Sequence, residues 1–206
     1  MTMALTMVHL LVADLWAKGH PQFLDSPGYY YGAVSPDAIH VRDGGDKSHK
    51  NEIHLNNWGV LHRQDVIDYW RDHGTPFDVG YGVHVLTDAQ WVPRYKQRLP
   101  GLLPDGKLDI PRYYNDTFVT DFALLRQIPR LGQILDLLER AETPADHPLL
   151  TAHEFSAWRD MLLKAYRGEC PRHEPVRYID VPYVRAFADD SLALIDEVYG
   201  AAFGEA

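Results

Sequence analysis

Cysteine is almost missing from this chain of 206 residues; Cys170 stands alone. A single thiol excludes an internal disulfide and a thiolate metal cluster, and it fits a reducing compartment. An excess of basic charge is missing too. The formal net charge is −9 with histidines neutral, which argues against a stable coating of nucleic acid through a cationic surface. It leaves room for an enzyme that meets phosphates through a bound cation, because the ion then supplies the local positive charge. Long apolar runs are absent; the first is broken by His9 and Asp14, so no transmembrane segment is expected. The start, Met1 to Leu5, carries neither a basic leader nor a small-residue cleavage pattern, and a cytoplasmic protein is expected. There is no tandem repeat, low-complexity tract or Gly/Ser linker, and the length suits one domain over 1–206. Strand signals are few, with the short Tyr178-Ile179 the best. No His-Asp dipeptide occurs, which sets aside metallophosphohydrolases that use an adjacent histidine–aspartate dyad.

What the chain does contain is apolar mass and histidine. Hydrophobic residues make up 46% of it, enough for a sizeable core. Eleven histidines against one cysteine mean that a metal site here would use imidazole and carboxylate. Leu5, Val8, Val12 and Leu15 or Trp16 recur at helical spacing, so the first element is an amphipathic helix ending near Gly19-His20-Pro21. Ser26-Pro27 opens a tyrosine-rich element, Ser35-Pro36-Asp37 a turn, and Arg42 to Asp46 is a loop by composition. Helices are expected over 65–73, over 77–91 with Pro93 as its stop, over 115–127 and over 131–141. A Pro/Gly loop covers 99–111. Thr151-Ala-His-Glu154 carries a capping box ahead of a helix to Tyr166, and Val181-Pro182 begins a last helix to about Tyr199. The sum is an all-α, single-domain helical bundle.

Several positions carry metal-ligand chemistry. His84 and Asp88 are four apart on a helix, so both side chains reach one face and one ion. The spacing alone also suits a plain surface pair. Gly80 and Gly82 would let another backbone come close. His9 shares the inward stripe of Val12 and Trp16, where a histidine is either hydrogen-bonded or ligating. Asp37 reads as turn chemistry or as a ligand. His40, three residues on, would support it or lie at the surface. His49 and His54 occupy a polar segment that suits solvent as well as a site. Arg42 and Lys47 would steady a phosphate or remain loop charges. Cys170 and His173 form a lone C-x2-H, too little for a zinc site.

Taken together, Thr6-Met-Val-His9, Tyr31-Gly-Ala-Val-Ser-Pro-Asp37, Lys47-Ser-His49 and Gly80-Tyr-Gly-Val-His84-Val-Leu-Thr-Asp88-Ala-Gln-Trp91 resemble the zinc-dependent phospholipase C family, whose fold the fungal single-strand nucleases share. The likeness is best to short bacterial members and is confined by motif to the part through Trp91; Tyr113 to Asp116 and the last helix are less specifically similar. It implies a helical bundle with zinc, or another divalent metal, near its centre. Asp37, His49, His84 and Asp88 would gather around the ion, Asp37 would also serve as general base, and His9 would serve a neighbouring ion. The substrate implied is a small phosphoester. The chain departs from the family in three places. It shows no counterpart of the N-terminal tryptophan ligand of secreted members. Val92 to Tyr95 replaces a further histidine. His147 and His153 are followed at the required spacing by Thr151 and Ala157, so neither forms a second His-x3-Glu/Asp pair. One or two ions are therefore expected, with Asp116 or Asp121 as substitutes for a missing carboxylate or simply as helix-start residues. The alternative is a non-catalytic, metal-stabilised protein.

Overall fold

The computed structural model describes residues 6–42, 46, 48–57, 60–98, 109–145, 147–172 and 174–204. The Pro/Gly segment 99–108, most of the loop after Arg42, Leu5, Lys47 and His173 lie outside the described residues. Among the described residues all regular structure is helical: α1 (Thr6–Ala17), α2 (Pro27–Gly32), a 3-10 helix (Ser35–Val41), α3 (Lys50–Ile53), α4 (Arg63–Asp72), α5 (Pro76–Arg98), α6 (Ile110–Gln127), α7 (Pro129–Arg140), α8 (Ala152–Tyr166) and α9 (Val181–Phe203). None of them is long and apolar enough to cross a membrane.

The centre of the bundle is α5. Every residue from Asp78 to Ala89 is buried, as a helix apolar on all sides requires. It touches α1, α2, α4, α9 and the 3-10 helix. Pro93 does not end it, contrary to the sequence expectation. A proline removes one backbone hydrogen bond, and here buried Trp91 and Val92 anchor the turn before it while Arg94 pairs with Asp190 of α9 at 2.7 Å beyond it. The first helix also differs from expectation, because only Leu15 of α1 escapes burial. Its acidic residue is accommodated inside: Asp14 accepts from Arg130 Nε at 3.0 Å and from the Tyr30 hydroxyl at 3.1 Å.

Side-chain caps mark several helix starts. Ser26 accepts from Tyr29 N, Asp109 from Arg112 N, and Asp180 from Tyr183 N, each with proline in the first turn. The Asp109 cap starts α6 five residues earlier than the apolar pattern suggests. Thr151 and Glu154 form both halves of the capping box. Tyr178-Ile179 is not a strand. The Asp116 carboxylate accepts from the backbone N–H of Arg177 at 3.1 Å and of Tyr178 at 2.8 Å, taking donors that a sheet ladder would need.

Candidate metal centre

The site grows from a close backbone contact. A Cβ on Gly80 would stand 1.9 Å from the Tyr29 carbonyl oxygen, and one on Gly32 would stand 1.9 Å from that of Phe77. Only glycine at both positions lets α2 and α5 meet at this distance. Gly82 makes room for the Trp70 ring instead, whose Nε1 donates to Asp78 O at 3.0 Å. One turn along α5 from Gly80, His84 Nδ1 lies 2.9 Å from the carbonyl of Ala33, the residue after Gly32. Ser35 Oγ donates to Tyr31 O and Trp158 Nε1 to Val34 O, both at 2.7 Å, fixing the junction that leads into the 3-10 helix and Asp37.

The third strut is α3, a single turn. His54 closes it, and both its backbone N–H and its Nδ1 lie within hydrogen-bond distance of Lys50 O, at 3.1 and 2.9 Å. The chain then reverses through Leu55 and Asn56, with φ of 49° and 57°, the only left-handed non-glycine residues among those described. Such backbone is uncommon, more so for leucine than for asparagine. Asn57 holds the reversal, accepting from His62 N at 2.6 Å and donating to the carbonyls of Leu55 and His62. The Tyr81 hydroxyl donates to Ile53 O at 2.7 Å and ties α3 to α5.

Four side chains converge as a result. One ligand atom each from Asp37, His54, His84 and Asp88 lies within 4.8 Å of the others, and all four residues are buried. Asp37 Oδ1 is 3.7 Å from His54 Nε2 and 4.0 Å from His84 Nε2. Asp88 Oδ2 is 3.6 Å from His54 Nε2 and 3.8 Å from His84 Nε2. These separations exceed an N–H···O bond, which is about 2.7–3.2 Å. They approach the edge of a tetrahedron, about 3.3–3.6 Å, that metal–ligand bonds of about 2.0–2.2 Å produce.

The protonation states point the same way. A carbonyl only accepts, so Nδ1 carries the proton on both His54 and His84 and each Nε2 presents a lone pair to the carboxylates. Burial is the largest cause of a downward pKa shift that takes both imidazoles to about 3, so they are neutral near pH 7. Lone pairs facing carboxylate oxygens repel, and a cation between them removes the conflict. His84 Nε2 and Asp37 Oδ1 are buried with no hydrogen-bond partner, a condition that asks for a ligand. The residues present therefore fit a metal ion.

Of the sequence candidates, Asp37, His84 and Asp88 meet here. His49 does not. Its side chain is 61% exposed and pairs with Glu52 at 3.0 Å, whereas His54, five residues on, faces the carboxylates. The sole early sign was its place in the same polar segment. His9 lies beside the group rather than in it, its ring stacked on His84 at 3.8 Å and its Nε2 3.5 Å from the other Asp88 oxygen, Oδ1. Asp116 and Asp121 are committed elsewhere, Asp116 to the turn before α9 and Asp121 to Met7 N and the Tyr166 hydroxyl. Arg42 is held by Glu154 and Leu149 O on the α8 side. His40 stands 3.7 Å from Asp37 Oδ1, on its outer side. Compared with known proteins, the chain matches no family model, no curated sequence and no solved structure.

Proposed function

We propose that Asp37, His54, His84 and Asp88 hold a zinc ion and that the centre hydrolyses a small phosphoester, in the manner of the zinc-dependent phospholipase C family that the His9, Asp37 and His84-x3-Asp88 motifs resemble. The carrying observation is the pair of neutral, tautomer-fixed imidazoles whose Nε2 atoms face two carboxylates at 3.6–4.0 Å. Two nitrogen and two oxygen donors without thiolate suit zinc among the common divalent ions. A bound divalent ion supplies Lewis acidity, which activates water near neutral pH and offsets charge on a phosphoryl oxygen. Asp37 is the least buried of the four carriers, at 6%, which supports it as the carboxylate that would orient a water and take its proton. His9 steadies Asp88 from behind, through Oδ1.

One observation favours a second reading. Four side-chain ligands complete a tetrahedron, and His54, His84 and Asp88 are at most 1% exposed; a closed site of this kind stabilises a fold without catalysing. Elemental analysis followed by assay on a chromogenic phosphodiester separates the two. The catalytic reading expects one equivalent of metal and turnover that falls by about 10²-fold or more in His84→Ala while the variant stays folded. Metal without turnover, with melting as the sole effect of His84→Ala, selects the structural reading. Protein that carries no stoichiometric metal defeats both.

A further inference from the structure

Tyr81, His84 and Asp88 follow one another on α5 at intervals of three and four, so their side chains stand on one stripe of that helix. Two of the three are ligands of the proposed centre. Tyr81 is as buried as they are, yet its hydroxyl is turned aside from the ligand atoms and donates to Ile53 O at 2.7 Å. Ile53 ends α3 and immediately precedes His54. A single stripe of α5 therefore presents two ligands directly and grips the backbone next to a third.

The receiving carbonyl differs from its neighbours. Those of His49, Lys50, Asn51, Glu52 and His54 each accept a backbone N–H from within residues 53–57, whereas that of Ile53 accepts the Tyr81 side chain. Carbonyls at a helix C-terminus lack intrahelical partners and are satisfied from elsewhere. Here the partner comes from the helix that carries His84 and Asp88. The hydroxyl is a steady donor, because burial, with the Asp37 charge adding to it, holds its pKa well above the ordinary value. Its ring is fixed by the rings of His147 and Tyr69, at 5.1 and 5.4 Å between centroids. Two bonds in series thus place the His54 ring. Nδ1 on Lys50 O orients it on α3, and Tyr81 on Ile53 O sets α3 against α5. The tolerance is narrow: His54 Nε2 stands 3.7 Å from Asp37 Oδ1 and 3.6 Å from Asp88 Oδ2, and a metal site needs its ligands held within about 0.5 Å of the required geometry.

We propose that Tyr81 is a positioning residue of the metal centre: its hydroxyl, through Ile53 O, keeps His54 in range as the fourth ligand and so sets metal affinity and four-coordinate geometry. This rests on the metal-centre reading above, and it assigns part of the affinity to a side chain outside the four ligands.

The test uses the full chain with zinc and cobalt(II) as probes. Zinc affinity comes from competition with a chromogenic chelator. Coordination comes from the visible absorption of the cobalt form, which is intense for a four-coordinate ion and weak for a six-coordinate one. Tyr81→Phe removes the hydroxyl and keeps the ring. It is expected to weaken zinc binding by about tenfold or more and to diminish the cobalt band as water replaces His54, while the metal-free chain melts within about 4 °C of the wild type. Tyr69→Phe is the control. It removes the hydroxyl of an adjoining ring, one that bonds Asp78 and His147 rather than α3. It should lower the melting temperature to a similar extent and leave zinc affinity and the cobalt band unchanged. Wild-type affinity and spectrum in Tyr81→Phe overturn the assignment and leave the metal centre standing. An equal loss in Tyr69→Phe does the same, because the effect is then one of general stability, and so does a Tyr81→Phe chain that fails to fold. Wild-type protein that binds neither ion overturns both readings.

Discussion

Two parts of the molecule build the candidate centre by opposite means. His84 and Asp88 ride on α5, a long helix enclosed on all sides and locked against α2 by a reciprocal glycine contact. His54 hangs from α3, four residues long, and the chain leaves it through two left-handed residues held by one asparagine side chain. In the first part regular geometry does the positioning: residues at i and i+4 share a face, and the backbone contact sets where that face points. In the second part no regular element is long enough to position anything, and a few specific bonds, Nδ1 of His54 to Lys50 O and Tyr81 to Ile53 O, substitute for it. Rigidity comes from packed regular structure in the first part and from individual bonds in the second, so the two fail in different ways.

The largest expected effect is on the helical part. Gly80→Ala forces a methyl to within 1.9 Å of Tyr29 O, and backbone cannot step aside as a side chain can. Loss of about 3 kcal/mol or more in urea unfolding is expected. Gly200→Ala, on α9 with nothing within 4 Å of the added atom, should instead stabilise by about 0.5–1 kcal/mol. Equal effects at the two glycines would refute the backbone-contact account.

The second comparison is between histidines five residues apart. His54→Ala should abolish stoichiometric metal in elemental analysis, because it removes one of four donors and leaves two carboxylates poorly paired. His49→Ala should retain the metal and change stability by no more than about 0.5 kcal/mol, as surface substitutions do. The reverse result would restore His49 to the site.

The smallest effect is a slope. In the metal-free chain His54 and His84 titrate at about 3 rather than 6.5 because of burial. Between those values the unfolded chain binds more protons, so this contribution is fully present above about pH 6.5 and is lost as pH falls toward 3. Asp121 opposes it. Burial raises its carboxyl to about 7, so its contribution grows as pH falls from about 7 toward the unfolded value near 3.9. Urea midpoints of the metal-free protein between pH 7.5 and 5 should therefore fall more steeply in Asp121→Asn than in the wild type. His54→Gln and His84→Gln should each flatten the curve. A curve unchanged by either substitution would show that the imidazoles are not buried in the neutral form.

How much of this is legible in the residues follows the same division. The helices, their caps and the His84–Asp88 pair are written in local signals: apolar spacing, Ser26-Pro27, the Thr151–Glu154 box and the i,i+4 interval. Asp37 stands out by its place after Ser35-Pro36. The choice of His54 over His49 is written nowhere locally, since both lie in one polar segment and the bonds that turn His54 inward, Nδ1 to Lys50 O and Tyr81 to Ile53 O, depend on the folded chain. The same limit explains Pro93, whose local rule yields to Trp91 packing and the Arg94–Asp190 pair, and Tyr178-Ile179, whose backbone donors are claimed by Asp116 from a distant helix.

Gly32 and Gly80 each meet backbone of the facing helix, at Phe77 and at Tyr29. No side chain stands at those two points, so nothing there can repack to widen or narrow the spacing of His84 and Asp88, and adjustment to a bound ion of another radius would fall to Asp37 and His54 on their short elements. Selection of a bound ion would then be governed by the affinity of two imidazoles and two carboxylates for each metal and by which metals the surroundings offer, with cavity size a minor discriminator. The centre would accept cobalt or manganese in a zinc-poor medium, and the ion recovered with the protein would report the supply of metals as much as the design of the site.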